Sequence, residues 1–126
     1  MGKREQKTFT KLELQIMQAV WRLGPSTVNQ VQQGLEQQLA YTTIQTMLNI
    51  LEKKGHLRRK LLGRSYEYSA VVSEAKASRH AVRDLVDRMF GGSTEQLVMS
   101  LLKTRQLDPK RLAELSRKLT EEEEEQ

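Results

Sequence analysis

Thr42-Thr43-Ile44-Gln45-Thr46-Met47-Leu48-Asn49-Ile50-Leu51-Glu52-Lys53-Lys54-Gly55, continuing as His56-Leu57-Arg58-Arg59-Lys60-Leu61-Leu62-Gly63-Arg64-Ser65-Tyr66-Glu67-Tyr68, decides the fold. Ile44, Met47, Leu48 and Leu51 recur at helical spacing and form a buried stripe. Thr42 is the natural N-cap, with Gln45 at capping-box spacing. Lys53-Lys54-Gly55 is a stop: cations suit the negative helix end, and glycine suits the left-handed residue beyond it. Two strands follow, over 57–61 and 66–70, joined by Leu62-Gly63-Arg64-Ser65. From Lys53 to Arg64 there are six lysines and arginines and no acidic residue. A polar-faced helix followed by a cationic hairpin suits a duplex, the helix in a groove and the hairpin on phosphates.

Two helices precede this device. The first is predicted over 11–23, with Thr10 and Glu13 at capping-box spacing, Leu12, Ile16, Val20 and Leu23 on one side, and Gly24-Pro25 as terminator. Trp21 belongs to its core face. The second is predicted from an N-cap at Ser26 to about Gln38, with Val28, Val31 and Leu35 inward. Gly34 inside it costs about 1 kcal/mol against alanine, and its smallness suits close helix packing. Three helices and a hairpin define a winged helix-turn-helix.

The remainder differs in kind. Ser73 caps a helix to about Phe90, Gly91-Gly92 breaks it, Ser93 starts another, and Asp108-Pro109 opens a third. Their apolar stripes are Val82, Leu85, Val86, Met89 and Phe90; then Leu97, Val98, Leu101 and Leu102; then Leu112, Leu115 and Leu119. These stripes hold too few large residues to bury one another, which predicts a module completed by a second copy. The expected division is a flexible N-terminus (1–9), a winged-helix DNA-binding domain (10–72), a helical dimerisation domain (73–119) and an acidic, disordered tail (120–126). The fold class is mainly α with a small β-hairpin.

Composition narrows the function. The net charge of +5 hides a bias, because Glu121–Glu125 supply five of the 16 acidic residues; without them, 21 basic residues face 11 acidic ones, a net of +10. A basic body suits a polyanionic partner. Cysteine is absent, which excludes disulfides and thiolate metal sites. No run of about 18 apolar residues predicts membrane insertion, and the charged start is no signal peptide. A cytoplasmic protein is expected. His80, Asp84 and Asp87 share a helix face, but a solvated face explains them without a fourth ligand. No nucleophile–base pair or phosphate loop is present, so neither catalysis, a metal nor a cofactor is expected.

Within the device, Thr43, Gln45, Thr46 and Asn49, with Thr42 beside them, carry hydroxyls and amides able to bond base edges or nearby backbone. A solvated helix face is the plain alternative. Arg58, Arg59, Lys60 and Arg64 suit phosphates; the plain alternative is an edge hairpin that discourages aggregation. Lys53 and Lys54 are explained by the helix dipole alone. Tyr66 and Tyr68 alternate on one strand face, which favours a core role over base stacking. Ile50 either meets a thymine methyl or packs under the hairpin.

The chain resembles the penicillinase repressor family from Thr10 to Leu119. The carriers are Leu12 to Met17 and Trp21, Thr42 to Leu48, Lys54-Gly55, Gly63 to Tyr68, Phe90 to Ser93, and Leu97-Val98. The resemblance implies a homodimeric repressor with an intertwined helical C-terminal domain. It implies pseudo-palindromic double-stranded operators that control resistance or stress genes. It also implies relief by proteolysis in the dimerisation region, triggered by a membrane-bound, antibiotic-sensing metalloprotease. By position the resemblance puts the scissile bond near Ser100–Leu101. The reading that competes is a winged helix used for protein–protein contact without sequence-specific DNA binding.

Overall fold

The computed structural model describes residues 9–125. Residues 1–8 of the expected N-terminal arm, and Gln126, lie outside the described residues. The element order is α1 (Lys11–Leu23), α2 (Val28–Gly34), α3 (Tyr41–Lys53), β1 (Leu57–Leu62), β2 (Ser65–Ala70), α4 (Glu74–Met89), α5 (Thr94–Lys103) and α6 (Pro109–Glu125). Three helices and an antiparallel hairpin make the winged helix.

α1 begins as its sequence dictates. The Glu13 amide donates to Thr10 Oγ1 (3.1 Å) and the Thr10 amide to Glu13 Oε1 (2.8 Å), so both orphan donors are met. Ile16, Met17, Ala19 and Val20 then enter the core with Val28 and Val31 of α2, Ile44, Leu48 and Leu51 of α3, and Leu57 and Tyr68 of the hairpin. Trp21 is half-buried and donates from Nε1 to the Val72 carbonyl (2.9 Å), tying α1 to the segment after β2.

α2 departs from expectation at both ends. Thr27, not Ser26, is the N-cap, forming a capping box with Gln30. Ser26 is engaged elsewhere: its backbone pairs with Tyr68 in both directions (2.9 and 2.7 Å) and its hydroxyl donates to the Gly24 carbonyl (2.6 Å). The helix stops at Gly34 rather than near Gln38. Leu35 turns extended and packs against the core, and the Arg22 guanidinium takes the Gly34 carbonyl. At Gly34 an added Cβ would lie 2.9 Å from Leu23 Cδ1, the end of an exposed side chain that can give way.

α3 starts one residue before the expected cap. Ala40 is the N-cap and offers no side chain, so Thr42 lies inside the first turn. The stop is a Schellman motif: the Gly55 amide donates to the Glu52 carbonyl (3.1 Å) and the His56 amide to the Leu51 carbonyl (3.0 Å), with Gly55 at φ 87°. Leu57 pairs with Ala70 and Leu62 with Ser65, leaving Gly63-Arg64 as a two-residue turn with Gly63 at φ 62°.

The chain divides into two compact units inside α4, the first ending at Ala81 and the second beginning at Val82. The expected boundary at 72/73 therefore lies earlier than the division found. In the second unit Ser93 caps α5, accepting from the Gln96 amide (3.2 Å), as predicted. α6 continues through Glu121–Glu125, where a disordered tail was expected. A run of glutamates has adequate helix propensity to continue a helix already begun.

Candidate nucleic-acid interface

The outward face of α3 follows from its inward one. With Ile44, Leu48 and Leu51 fully buried, the residues on the opposite side must face out. At about 100° per residue, Thr42, Gln45, Thr46, Asn49 and Lys53 fall on one stripe. Thr42, Gln45, Thr46 and Lys53 are exposed and Asn49 is half-buried. Thr43 lies about a quarter-turn away and is half-buried. Ile50 also lies off the stripe and is exposed. The structure thus places Thr42, Gln45 and Thr46 together and exposed, with half-buried Asn49 on the same stripe and half-buried Thr43 to one side.

Asn49 is half-buried because it meets the hairpin. Its Oδ1 accepts from the Tyr68 hydroxyl (2.7 Å) and from Arg59 Nη1 (3.3 Å). Arg59 in turn lies 4.3 Å from the centre of the Tyr66 ring, a cation–π contact. The core reading of the two tyrosines holds for Tyr68, which is buried, but not for Tyr66, which is 40% exposed. Tyr66 sits nearer the hairpin tip, past the edge of the core, and Arg59 covers its ring instead. This linked set was not foreseen in the sequence; the one available signal was Tyr68 standing opposite Arg59 in the pairing register.

Arg58, Arg59, Lys60 and Arg64 are all exposed, and none forms an ion pair among the described residues. Lys60 stands opposite Glu67 in the register, so its charge is partly offset. Arg64 occupies the turn itself and projects from the tip. Lys54 has a different task. Its Nζ lies 2.7 Å from Oε2 of buried Glu13, joining the start of α1 to the end of α3. Burial pushes the Glu13 carboxyl up, but hydrogen bonds from Lys54 and the Thr10 amide, with the Lys54 charge, outweigh it and hold the group below the ordinary glutamate range.

The helix face and the hairpin are thus one polar, cationic surface on a rigid three-helix support. A family model described as penicillinase repressor matches residues 9–121. The chain belongs to the penicillinase repressor family. The penicillinase repressor of Bacillus licheniformis is 29% identical over 111 residues, covering 86% of this chain and 87% of that protein. The methicillin resistance regulatory protein MecI of Staphylococcus aureus strain N315 is 22% identical over 115 residues, covering 88% and 94%. An uncharacterised 16.5 kDa protein from Latilactobacillus sakei is 28% identical over 114 residues, covering 89% and 78%.

Penicillinase repressor family membership extends through α4 and α5, so the relatives share the second unit as well as the winged helix. In this family member Ser100 and Leu101 are half-buried within α5. The Ser100 carbonyl accepts from both the amide (3.0 Å) and the hydroxyl (2.8 Å) of Thr104. No described helix is long and apolar enough to cross a membrane.

Proposed function

We propose that the chain is a homodimeric transcriptional repressor that binds a pseudo-palindromic operator through α3 and the wing. The observation that carries this reading is the exposed stripe of Thr42, Gln45 and Thr46 beside four exposed wing cations that form no ion pair among the described residues. A polar face alone is a solvated surface. A polar face continuous with unpaired arginines on a protruding hairpin has the form of a helix entering the major groove while the wing grips flanking phosphates. Thr42, Thr43, Gln45 and Thr46 form the helix side of this contact, Asn49 stands where the helix meets the wing, and Arg58, Arg59, Lys60 and Arg64 form the phosphate side.

The second unit supports pairing. α5 and α6 contain no buried residue, and Val82, Leu85, Met89, Met99, Leu115 and Leu119 are between 40% and 71% exposed. A second copy covers these stripes, with Phe90, Leu97, Val98, Leu101, Leu102 and Leu112 completing the interface, while Val86 is already buried within the chain. Paired units would set two recognition helices whole helical turns apart, about 10 base pairs each. Relief follows from any event that separates the copies, because each half alone keeps only part of the binding energy. Cleavage at Ser100–Leu101 by a membrane sensor metalloprotease is one such event, and α5 must unwind locally before a protease can engage that bond. By analogy with the named relatives, the regulated genes would be those of β-lactam resistance or a related stress.

A mobility-shift series on genomic fragments tests the proposal. Retention of a few fragments, weakening steeply as salt rises, is the expected result. No retention at low salt would instead favour a winged helix used only for protein contact.

A further inference from the structure

We infer that Asn49 is a positioning residue that locks the wing to α3, and that it reads no base. The inference deepens the DNA-binding reading and rests on it for its consequence, though not for its geometry. An asparagine that recognises adenine does so in two places at once, its oxygen accepting from N6 and its amide donating to N7. The Oδ1 of Asn49 already accepts from the Tyr68 hydroxyl at 2.7 Å and from Arg59 Nη1 at 3.3 Å. An amide oxygen has two lone pairs, and both are taken. Nor can the amide be turned round to free its oxygen. Arg59 has only donors, so the atom facing it must be the oxygen.

The partners are themselves fixed. Tyr68 is 2% exposed, and a hydroxyl that deep needs a partner. Its backbone is bonded both ways to Ser26, so this point of β2 is held to the helical body. Arg59 is held from the other side by the Tyr66 ring. Contacts therefore run unbroken from Ser26 through Tyr68, Asn49 and Arg59 to Tyr66, crossing from the helical body to the wing. A two-stranded hairpin alone is marginally stable in water. Tied at Asn49, its angle to α3 is set before DNA arrives, and less ordering is left for binding to supply. Base reading then falls to Thr42, Gln45 and Thr46.

Hydrogen exchange and duplex binding of the intact chain separate the two roles. Asn49→Ala should lower affinity by roughly the same factor, on the order of tenfold, for a preferred fragment and for unrelated duplex. It should also speed amide exchange across β1 and β2. Tyr68→Phe should do both, and the double variant should lose much less than the product of the single losses. Asn49→Asp keeps two acceptors for Tyr68 and Arg59, so its wing amides should stay protected although it cannot donate to adenine. Loss confined to the preferred fragment, with wing exchange unchanged in Asn49→Ala, would overturn the inference. So would unprotected wing amides in Asn49→Asp. If the wild-type chain bound no duplex, the DNA reading would fall while the exchange comparison still decided the lock.

Discussion

Individual side chains carry distinct parts of the account. Gln45 is exposed on the α3 stripe, and its side chain makes no hydrogen bond among the described residues. Gln45→Ala should cost about 1–3 kcal/mol on the preferred fragment and little on unrelated duplex. Competition titrations with both DNAs measure it. Arg64, at the wing tip, should behave oppositely. Arg64→Ala should weaken all duplexes alike and reduce the salt slope by about one, which binding at four salt concentrations would reveal. Glu13 governs stability instead. Its carboxyl is held below the ordinary range, so its contribution is present above the unfolded-state pKa and is lost as pH falls through the folded value. The thermal midpoint should therefore drop below about pH 4.3. Glu13→Gln preserves the capping box but not the Lys54 pair. It should cost about 1.5 kcal/mol at neutral pH, the low end for a charged hydrogen bond because Lys54 is 35% exposed. The same substitution should flatten the acid dependence, as thermal melts from pH 3 to pH 7 can check.

Elements show which parts of the fold were legible beforehand. α1 was legible in its bounds, because Thr10, Glu13 and Gly24-Pro25 mark its ends by local chemistry, although Leu23, expected on the apolar side, is exposed. The stop of α3 was legible for the same reason at Gly55. α2 was not: Ser26 is as good a cap as Thr27 locally, and only its pairing with Tyr68, 42 residues later, removes it. Its early end depends on Arg22 from α1. Thr42 failed as a cap because α3 begins on Ala40 without one. In the candidate interface, the outward stripe and the exposure of the cations were legible from spacing. The Asn49–Tyr68–Arg59 set was not, since two donors converge on one oxygen only after the hairpin folds back. Change at that junction should accordingly loosen the wing, as the Asn49 variants test.

The whole chain works, on this account, because two interfaces are divided between two units. The division at Ala81/Val82 suggests where to cut. Truncation after Ala81 keeps Val72, whose carbonyl anchors Trp21. The fragment should fold, sediment as a monomer and bind the preferred fragment far more weakly than the intact chain. A stable dimer of that fragment would refute placing the pairing surface on α4–α6. The net charge of +5, with its positive excess before the glutamate run, favours fast encounter with DNA but selects no sequence. On this account selection comes from α3, and spacing from the paired second units. Footprinting of the intact chain on genomic DNA tests both together. The account predicts two protected half-sites of related, inverted sequence, their centres separated by whole turns of the duplex, about 10 base pairs each. Protection of a single half-site, or uniform protection without sequence preference, would contradict it.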